Sequence, residues 1–296
     1  MKHNIYKNLS VFLLAGSLLS CTADLPTEPD NIPTGKIAMN FNISHPSQSR
    51  ATETAFESGD EVGVFVAEAD KILEIGGNTV NNEALTFTGS SWSAAHKLYW
   101  DAGTYNVYAY YPRLAEVSSI SDLPIEVSTD QRAVADGTMD GYEASDFLFA
   151  KSLGVVASAS PVELKFNHIM SKLSIRIVKG EDYEGDIPRT AKVSIHNTFT
   201  QATVDLVSGV ATRDMRGTRK TIIAHQDGPT TYSAIIVPQR LENRLPLIEI
   251  EMNGVSFLYE SKFLFKPGIH HIVNLVVDKN PEQVKIEVGG EITDWN

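Results

Sequence analysis

Leu247-Ile248-Glu249-Ile250-Glu251-Met252-Asn253-Gly254-Val255-Ser256-Phe257-Leu258-Tyr259 is the stretch whose reading decides the fold. Asn-Gly is the preferred central pair of a two-residue type I′ turn, because both positions need a positive φ. Folded about that pair, the chain sets Met252 opposite Val255, Ile250 opposite Phe257 and Ile248 opposite Tyr259. Residues opposite one another across an antiparallel pair share a face, so six apolar side chains line one side of the predicted hairpin.

The same period of two recurs outward from this hairpin. In the first half, strand-like runs lie at residues 62–66, 84–88, 97–100, 104–111 and 146–151, and no apolar pattern of helical period persists for three turns. In the second half they lie at 162–166, 173–177, 191–195, 202–206, 221–225, 231–237, 263–265, 268–277 and 284–288. Short strands with turns every ~8–12 residues predict an all-β chain of two tandem β-sandwiches. The small, weakly polar stretch 152–161 sets the expected boundary, with an N-terminal sandwich over 51–160 and a C-terminal one over 161–296.

Composition narrows the function classes. The 296 residues carry a net charge of −12, with Lys and Arg scattered, so no basic footprint for a nucleic-acid partner exists. A hydrophobic fraction of 42% is that of a globular chain able to form a core.

Cys21 is the only cysteine. Before it come Lys2, Lys7 and a short apolar run at 9–19, too short to span a bilayer and of the kind that forms a signal-peptide core. Leu18-Leu19-Ser20-Cys21 resembles the lipobox of bacterial lipoproteins, in which the cysteine is acylated and becomes the mature N-terminus. On this reading residues 1–20 are a lipoprotein signal peptide and Cys21 the lipid anchor to the outer membrane. Residues 22–33 are acidic and proline-rich, as a tether is. Ile37, Met39, Phe41 and Ile43 then alternate with smaller or polar residues and predict one half-buried strand. Burying four such side chains at ~1.5–3 kcal/mol each is worth about 6–12 kcal/mol. A polar loop around Arg50-Ala51 follows, suited to proteolytic nicking.

Catalytic patterns are missing from the sequence. There is no Gly-x-Ser-x-Gly elbow and no His-Glu-x-x-His motif, so neither enzyme activity nor a cofactor is expected. Histidines 45, 96, 168, 196, 225, 270 and 271 lack metal-ligand spacing. Asp136-Gly137-Thr138-Met139-Asp140-Gly141 begins like a calcium loop but has Thr138 at the third position and Phe147 at the twelfth, and reads as a solvated acidic loop. Trp92, Tyr99, Trp100, Tyr105, Tyr108, Tyr110 and Tyr111 fit strand cores; if Trp92, Trp100, Tyr108 and Tyr110 shared an open face, they would instead form a platform for glycan rings.

An ordered set of motifs covers nearly the whole mature chain: Phe56-x-x-Gly59-Asp60-x-x-Gly63-Val64-Phe65, Tyr105-x-x-Tyr108-Ala109-Tyr110-Tyr111-Pro112, Ser145-Asp146-Phe147-Leu148-Phe149-Ala150, Leu164-x-Phe166-x-His168-x-x-Ser171-Lys172-Leu173, Ile236-Val237-Pro238-Gln239 and Phe265-x-Pro267-Gly268. Together they resemble the fimbrillin family of Gram-negative anaerobes. The resemblance implies transthyretin-like tandem domains, export as a lipoprotein, and assembly with other fimbrial subunits into surface fimbriae that adhere to host surface proteins or glycans. It also implies that a trypsin-like, arginine-specific protease removes the N-terminal segment, so that a strand from another subunit fills the groove; Arg50-Ala51 matches the cleavage position. The candidate donor is Val284, Ile286 and Val288 with Ile292 and Trp295 beyond, whose alternation mimics residues 37–43; the same segment reads equally as an edge strand of its own domain.

Overall fold

A computed structural model describes residues 36–46, 55–133, 139–281, 284–286 and 292–295. The first half contributes β1 (Ile37–Ala38), β2 (Phe41–Ser44), β3 (Glu61–Glu68), β4 (Val80–Phe87), β5 (Trp92–Ala94), β6 (Tyr99–Trp100), β7 (Thr104–Tyr111), β8 (Leu123–Glu126) and β9 (Leu148–Val156). The second contributes β10 (Val162–Lys165), β11 (Asn167–His168), β12 (Ser171–Lys179), β13 (Lys192–Phe199), β14 (Gln201–Asp205), β15 (Val210–Arg213), β16 (Arg219–Ile223), β17 (His225–Gly228), β18 (Thr231–Ile236), β19 (Gln239–Met252), β20 (Val255–Phe265), β21 (Ile269–Val277), β22 (Lys285–Ile286) and β23 (Ile292–Asp294). One 3-10 turn, Glu143–Ser145, is the only helical element among the described residues. The chain is all-β, as the alternation predicts.

The hairpin forms in the expected register, Met252↔Val255, Ile250↔Phe257 and Ile248↔Tyr259. Asn253 and Gly254 sit at φ 52° and 74°, the left-handed pair a type I′ turn requires. Ile248, Ile250, Met252 and Phe257 are buried, whereas Tyr259 is half-buried and Val255, beside the turn, is 39% exposed. β19 runs on past the predicted start through Pro246, where the register shifts. A bulge is where a strand tolerates a residue that cannot donate a ladder bond.

Two sheets of the second half face one core. The order β17-β18-β12-β21-β22 supplies Ile175, Ile177, Ala234 and Leu275, and the order β16-β13-β19-β20 supplies Val193, Ile195, Ile250 and Phe257. In the first half the order β11-β9-β7-β3-β4-β5 makes a six-stranded sheet. Its central strands are covered on both faces. Val62, Val64, Val66, Val107 and Ala109 enter one core, and the alternate residues Phe65, Ala67, Tyr108, Tyr110 and Phe149 enter the other. That explains why β3 is buried at six consecutive positions rather than at every second one.

Strand pairing crosses the boundary placed at residue 160 in both directions. β8 pairs with β14, while β10 pairs with β2 and β11 with β9. Alternation identifies the face a strand buries and carries no information about its partner, so the sequence could not assign these strands to a half.

Gln131 ties the halves together without a strand. Its buried side-chain amide mimics a peptide group: Nε2 donates to the Ile235 carbonyl at 2.8 Å, and Oε1 accepts from the Ile235 N–H at 2.8 Å. Gln131→Met keeps the volume but leaves both Ile235 groups unpaired in the core, at about 1–3 kcal/mol for each group. Urea unfolding is expected to show a lowered midpoint with an unchanged slope.

Candidate subunit-assembly site

Sequence reasoning predicts a single strand over 37–43; the structure breaks it at Met39-Asn40 into two strands with different partners. β1 pairs antiparallel with β6, Ile37↔Trp100 and Ala38↔Tyr99, and the Met39 N–H donates to the Leu98 carbonyl at 2.9 Å. The chain then crosses to β10. Val162 N–H donates to the Asn40 carbonyl at 2.8 Å, β2 and β10 pair in parallel from Phe41↔Val162 to Ser44↔Lys165, and Phe166 N–H donates to the Ser44 carbonyl at 3.1 Å. Two short strands bridge two separate edges better than one straight strand can.

On the outer face Asn40 Nδ2 donates to the Ala159 carbonyl at 3.2 Å, and Asn42 Nδ2 donates to the Glu163 carboxylate at 2.8 and 3.0 Å. On the inner face Met39 is 8% exposed and Phe41 and Ile43 are half-buried, whereas Ile37 is 39% exposed. The expectation of four buried side chains is therefore corrected. One full and two partial burials, at ~1.5–3 kcal/mol for a full one, amount to about 3–6 kcal/mol. Beneath them lies the core that includes Val62, Val64, Tyr111, Val162, Leu164 and Phe166. Cys21, Arg50, Ala51 and Val288 lie outside the described residues.

The aromatic cluster does not form an open platform. Trp100, Tyr105, Tyr108, Tyr110 and Tyr111 are buried, while Trp92 and Tyr99 are half-buried. The cause is the covering of the six-stranded sheet on both faces. Phe56 wedges edge-on against Trp92, Tyr111 and Phe166 with ring centroids 4.9, 5.4 and 5.7 Å away. Burial and the nearby Asp60 carboxylate push the Tyr111 hydroxyl far up, so it stays protonated and donates to Asp60 Oδ1 at 3.2 Å.

The C-terminal segment folds back on its own sheet. β23 and β22 pair antiparallel with the same edge of β21, the first through Ile269↔Asp294 to His271↔Ile292 and the second through Leu275↔Ile286. Val284 is half-buried, Ile292 is 66% exposed, and Trp295 is 3% exposed. The Trp295 indole stacks on His168 at 3.8 Å with 6° between the ring planes, and the Trp295 main-chain N–H donates to the Gly268 carbonyl at 3.0 Å. Burying ~150–250 Å2 of an aromatic side chain is worth about 4–6 kcal/mol. Against this, the indole Nε1 is buried without a hydrogen-bond partner, which costs about 1–3 kcal/mol. His168 Nδ1 donates to Asp146 Oδ1 at 2.8 Å, and the His45 ring meets His168 edge-on at 5.8 Å. Burial pulls His45 below its ordinary range despite the Pro46 carbonyl bonded to it.

The remaining polar groups serve the fold. Asp140 Oδ1 accepts from the N–H groups of Tyr142 and Glu143 at 2.9 and 3.0 Å, holding the 3-10 turn. Asp136, Gly137 and Thr138 lie outside the described residues. His196 joins Thr221 and Glu249, each at 2.9 Å. Among the described residues no group of three or more His, Cys, Asp or Glu side chains could hold a metal ion.

A family model described as fimbrillin-like matches residues 49–295. The chain belongs to the fimbrillin-like family. In Bacteroides uniformis, the "Putative fimbrium subunit Fim1C" is 27% identical over 299 residues, covering 96% of this chain and 93% of that protein. A second relative, the "Putative fimbrium tip subunit Fim1C" of Bacteroides ovatus, is 29% identical over 198 residues; the match takes in 59% of this chain and only 35% of that protein's length. Among solved structures, a "putative cell adhesion protein" of Bacteroides uniformis superposes with a TM-score of 0.68 at 23% identity, over 89% of this chain and 99% of that one. Its Bacteroides ovatus counterpart also gives 0.68, at 22% identity, over 88% and 98%. These likenesses establish the fold, that of fimbrial and adhesin β-sandwich proteins.

His270, on β21 opposite Thr293 of β23, gives the site a dependence on acidity. Burial, and then the Lys172 ammonium with His271 and Arg176, pulls it down to about 4. The unfolded chain takes up this proton below ~6.5 and the folded one only near 4, so acid favours unfolding in that window. Stability is expected to fall as pH drops from 6.5 towards 4, and His270→Gln, compared by urea unfolding across the window, is expected to flatten part of the decline.

Proposed function

We propose that this chain is a structural subunit of a cell-surface fimbrium that supports adhesion, polymerised by donor-strand exchange. It is exported as a lipoprotein acylated on Cys21 and held at the outer membrane through its lipid. An arginine-specific, trypsin-like protease then cuts between Arg50 and Ala51, removing the lipid and residues 37–46 in one event. The two-sandwich arrangement belongs to this reading, with residues 123–126 and 162–165 exchanged between the halves.

The observation that carries the proposal is the pairing of β2 with β10. Among the described residues β10 has no other ladder partner, and everything in β1 and β2 lies on the departing side of Arg50. Loss of that strand unpairs the main chain of residues 162–166 and uncovers the core under Met39. Unpaired edges template pairing with another chain. The donor we propose is residues 284–295 of a second copy or of another fimbrial subunit: Val284, Ile286 and Val288 repeat the period of Met39, Phe41 and Ile43, with Ile292 and Trp295 beyond. The alternative, a lipoprotein that binds glycans on exposed aromatics, has no supporting face, since Trp100, Tyr108 and Tyr110 are buried.

Exposing the purified precursor to the protease tests this. The wild-type chain is expected to yield detergent-resistant, heat-sensitive ladders with a new N-terminus at Ala51, and Arg50→Ala is expected to stay monomeric. Ladders from Arg50→Ala would contradict cleavage-driven assembly.

A further inference from the structure

The two ends of the described chain meet at His168. Its imidazole is buried, with one face covered by the Trp295 indole at 3.8 Å, its Nδ1 bonded to Asp146 at 2.8 Å, and the His45 ring edge-on at 5.8 Å. His45 also packs edge-on against Phe56 at 4.9 Å. A second link runs through the main chain. β10 leads directly into β11, which carries His168; β10 is paired by β2, and the Phe166 N–H, two residues before His168, donates to the Ser44 carbonyl at 3.1 Å. Both the ring and the backbone that support His168 from this side belong to residues 44–45, which lie upstream of Arg50.

On the C-terminal side the attachment is short. β23 has three residues, of which Ile292 is 66% exposed, so the side chain that anchors it is Trp295. That indole leaves its Nε1 buried without a hydrogen-bond partner. The anchor's ring stacks on the His168 imidazole and has the Lys172 ammonium 5.8 Å from its centroid, and a short strand held in this way is sensitive to how firmly that imidazole is placed.

We infer that His168 couples the two ends: the N-terminal strand, through His45 and Ser44, keeps residues 292–295 on their own sheet, and its removal loosens them. This rests on the strand-exchange reading and adds to it that opening the groove and freeing the donor are linked within one subunit. Before cleavage the chain is doubly inert, because its groove is filled and its C-terminal segment is engaged. After cleavage both change, since the Phe166 main chain loses its acceptor and water reaches the side of His168 that His45 covered.

Hydrogen exchange followed by mass spectrometry on the full chain tests the coupling, read as the rate in 292–295 relative to that in 171–179. In uncleaved His45→Ala and in the monomeric fraction of cleaved wild-type protein this ratio is expected to rise about tenfold. His45→Phe, which restores a ring against His168, is expected to stay at the precursor value. An unchanged ratio in His45→Ala and in the cleaved chain overturns the inference, whether both rates stay low or both rise together. Ladder formation in the same samples separates the two readings: ladders with an unchanged ratio leave strand exchange standing and the coupling wrong. A raised ratio without ladders does the reverse.

Discussion

The parallel ladder between β2 and β10 is the contact on which the first half of the molecule depends. A buried main chain must have its N–H and C=O groups paired, and β10 offers its groups to β2 alone among the described strands. The partner is a short piece of chain that lies upstream of the Arg50-Ala51 peptide bond. A fold that closes its core with a strand attached in this way can lose it by a single peptide-bond cleavage and must then find a substitute. The second half solves the same pairing problem with a side chain, as the Gln131 amide serves Ile235.

The energies suit a removable part. With Ile37 exposed and only Met39 fully buried, the strand contributes about half of what four buried side chains would. Its hold is shared among ladder bonds to two edges, the Asn42–Glu163 contact on the outer face and the His45 ring at the end. None of these is deep in a core. On the proposed reading, a donor with the same period and more apolar residues beyond it would compete on favourable terms after cleavage at Arg50.

Much of this was legible in the residues, and the part that was not has a physical cause. The turn at Asn253-Gly254, the three facing pairs around it and the all-β class follow from φ preferences and a period of two. Alternation along residues 37–43 correctly put Met39, Phe41 and Ile43 on one side. It could not reveal the break at Asn40, which exists because the chain changes partner from Leu98 to Val162 there. Long-range partners left no local trace, so the exchange of residues 123–126 and 162–165 across the expected boundary was invisible. The aromatic run 104–111 was ambiguous for the related reason that a strand buried on both faces and one with an exposed aromatic face share a composition. His168 falls in the Leu164-to-Leu173 motif and Trp295 in the candidate donor segment, and their stacking, across more than a hundred residues of sequence, leaves no trace in either. The segment 284–295 reads equally as donor or edge strand, and its described parts, β22 and β23, pair with β21.

The central claim is that β10 receives, after cleavage, a strand from another copy in place of β2. Glu163 faces outward beside Asn42, and on an incoming 284–288 strand that sets Val284, Ile286 and Val288 in place of Met39, Phe41 and Ile43, Glu287 would take the Asn42 position. Mixing cleaved Glu163→Cys and Glu287→Cys chains, each otherwise free of cysteine once Cys21 has been removed, tests this by disulfide formation. The account predicts a covalent heterodimer in the assembled material and none from the uncleaved chains. Assembly without that heterodimer would contradict it.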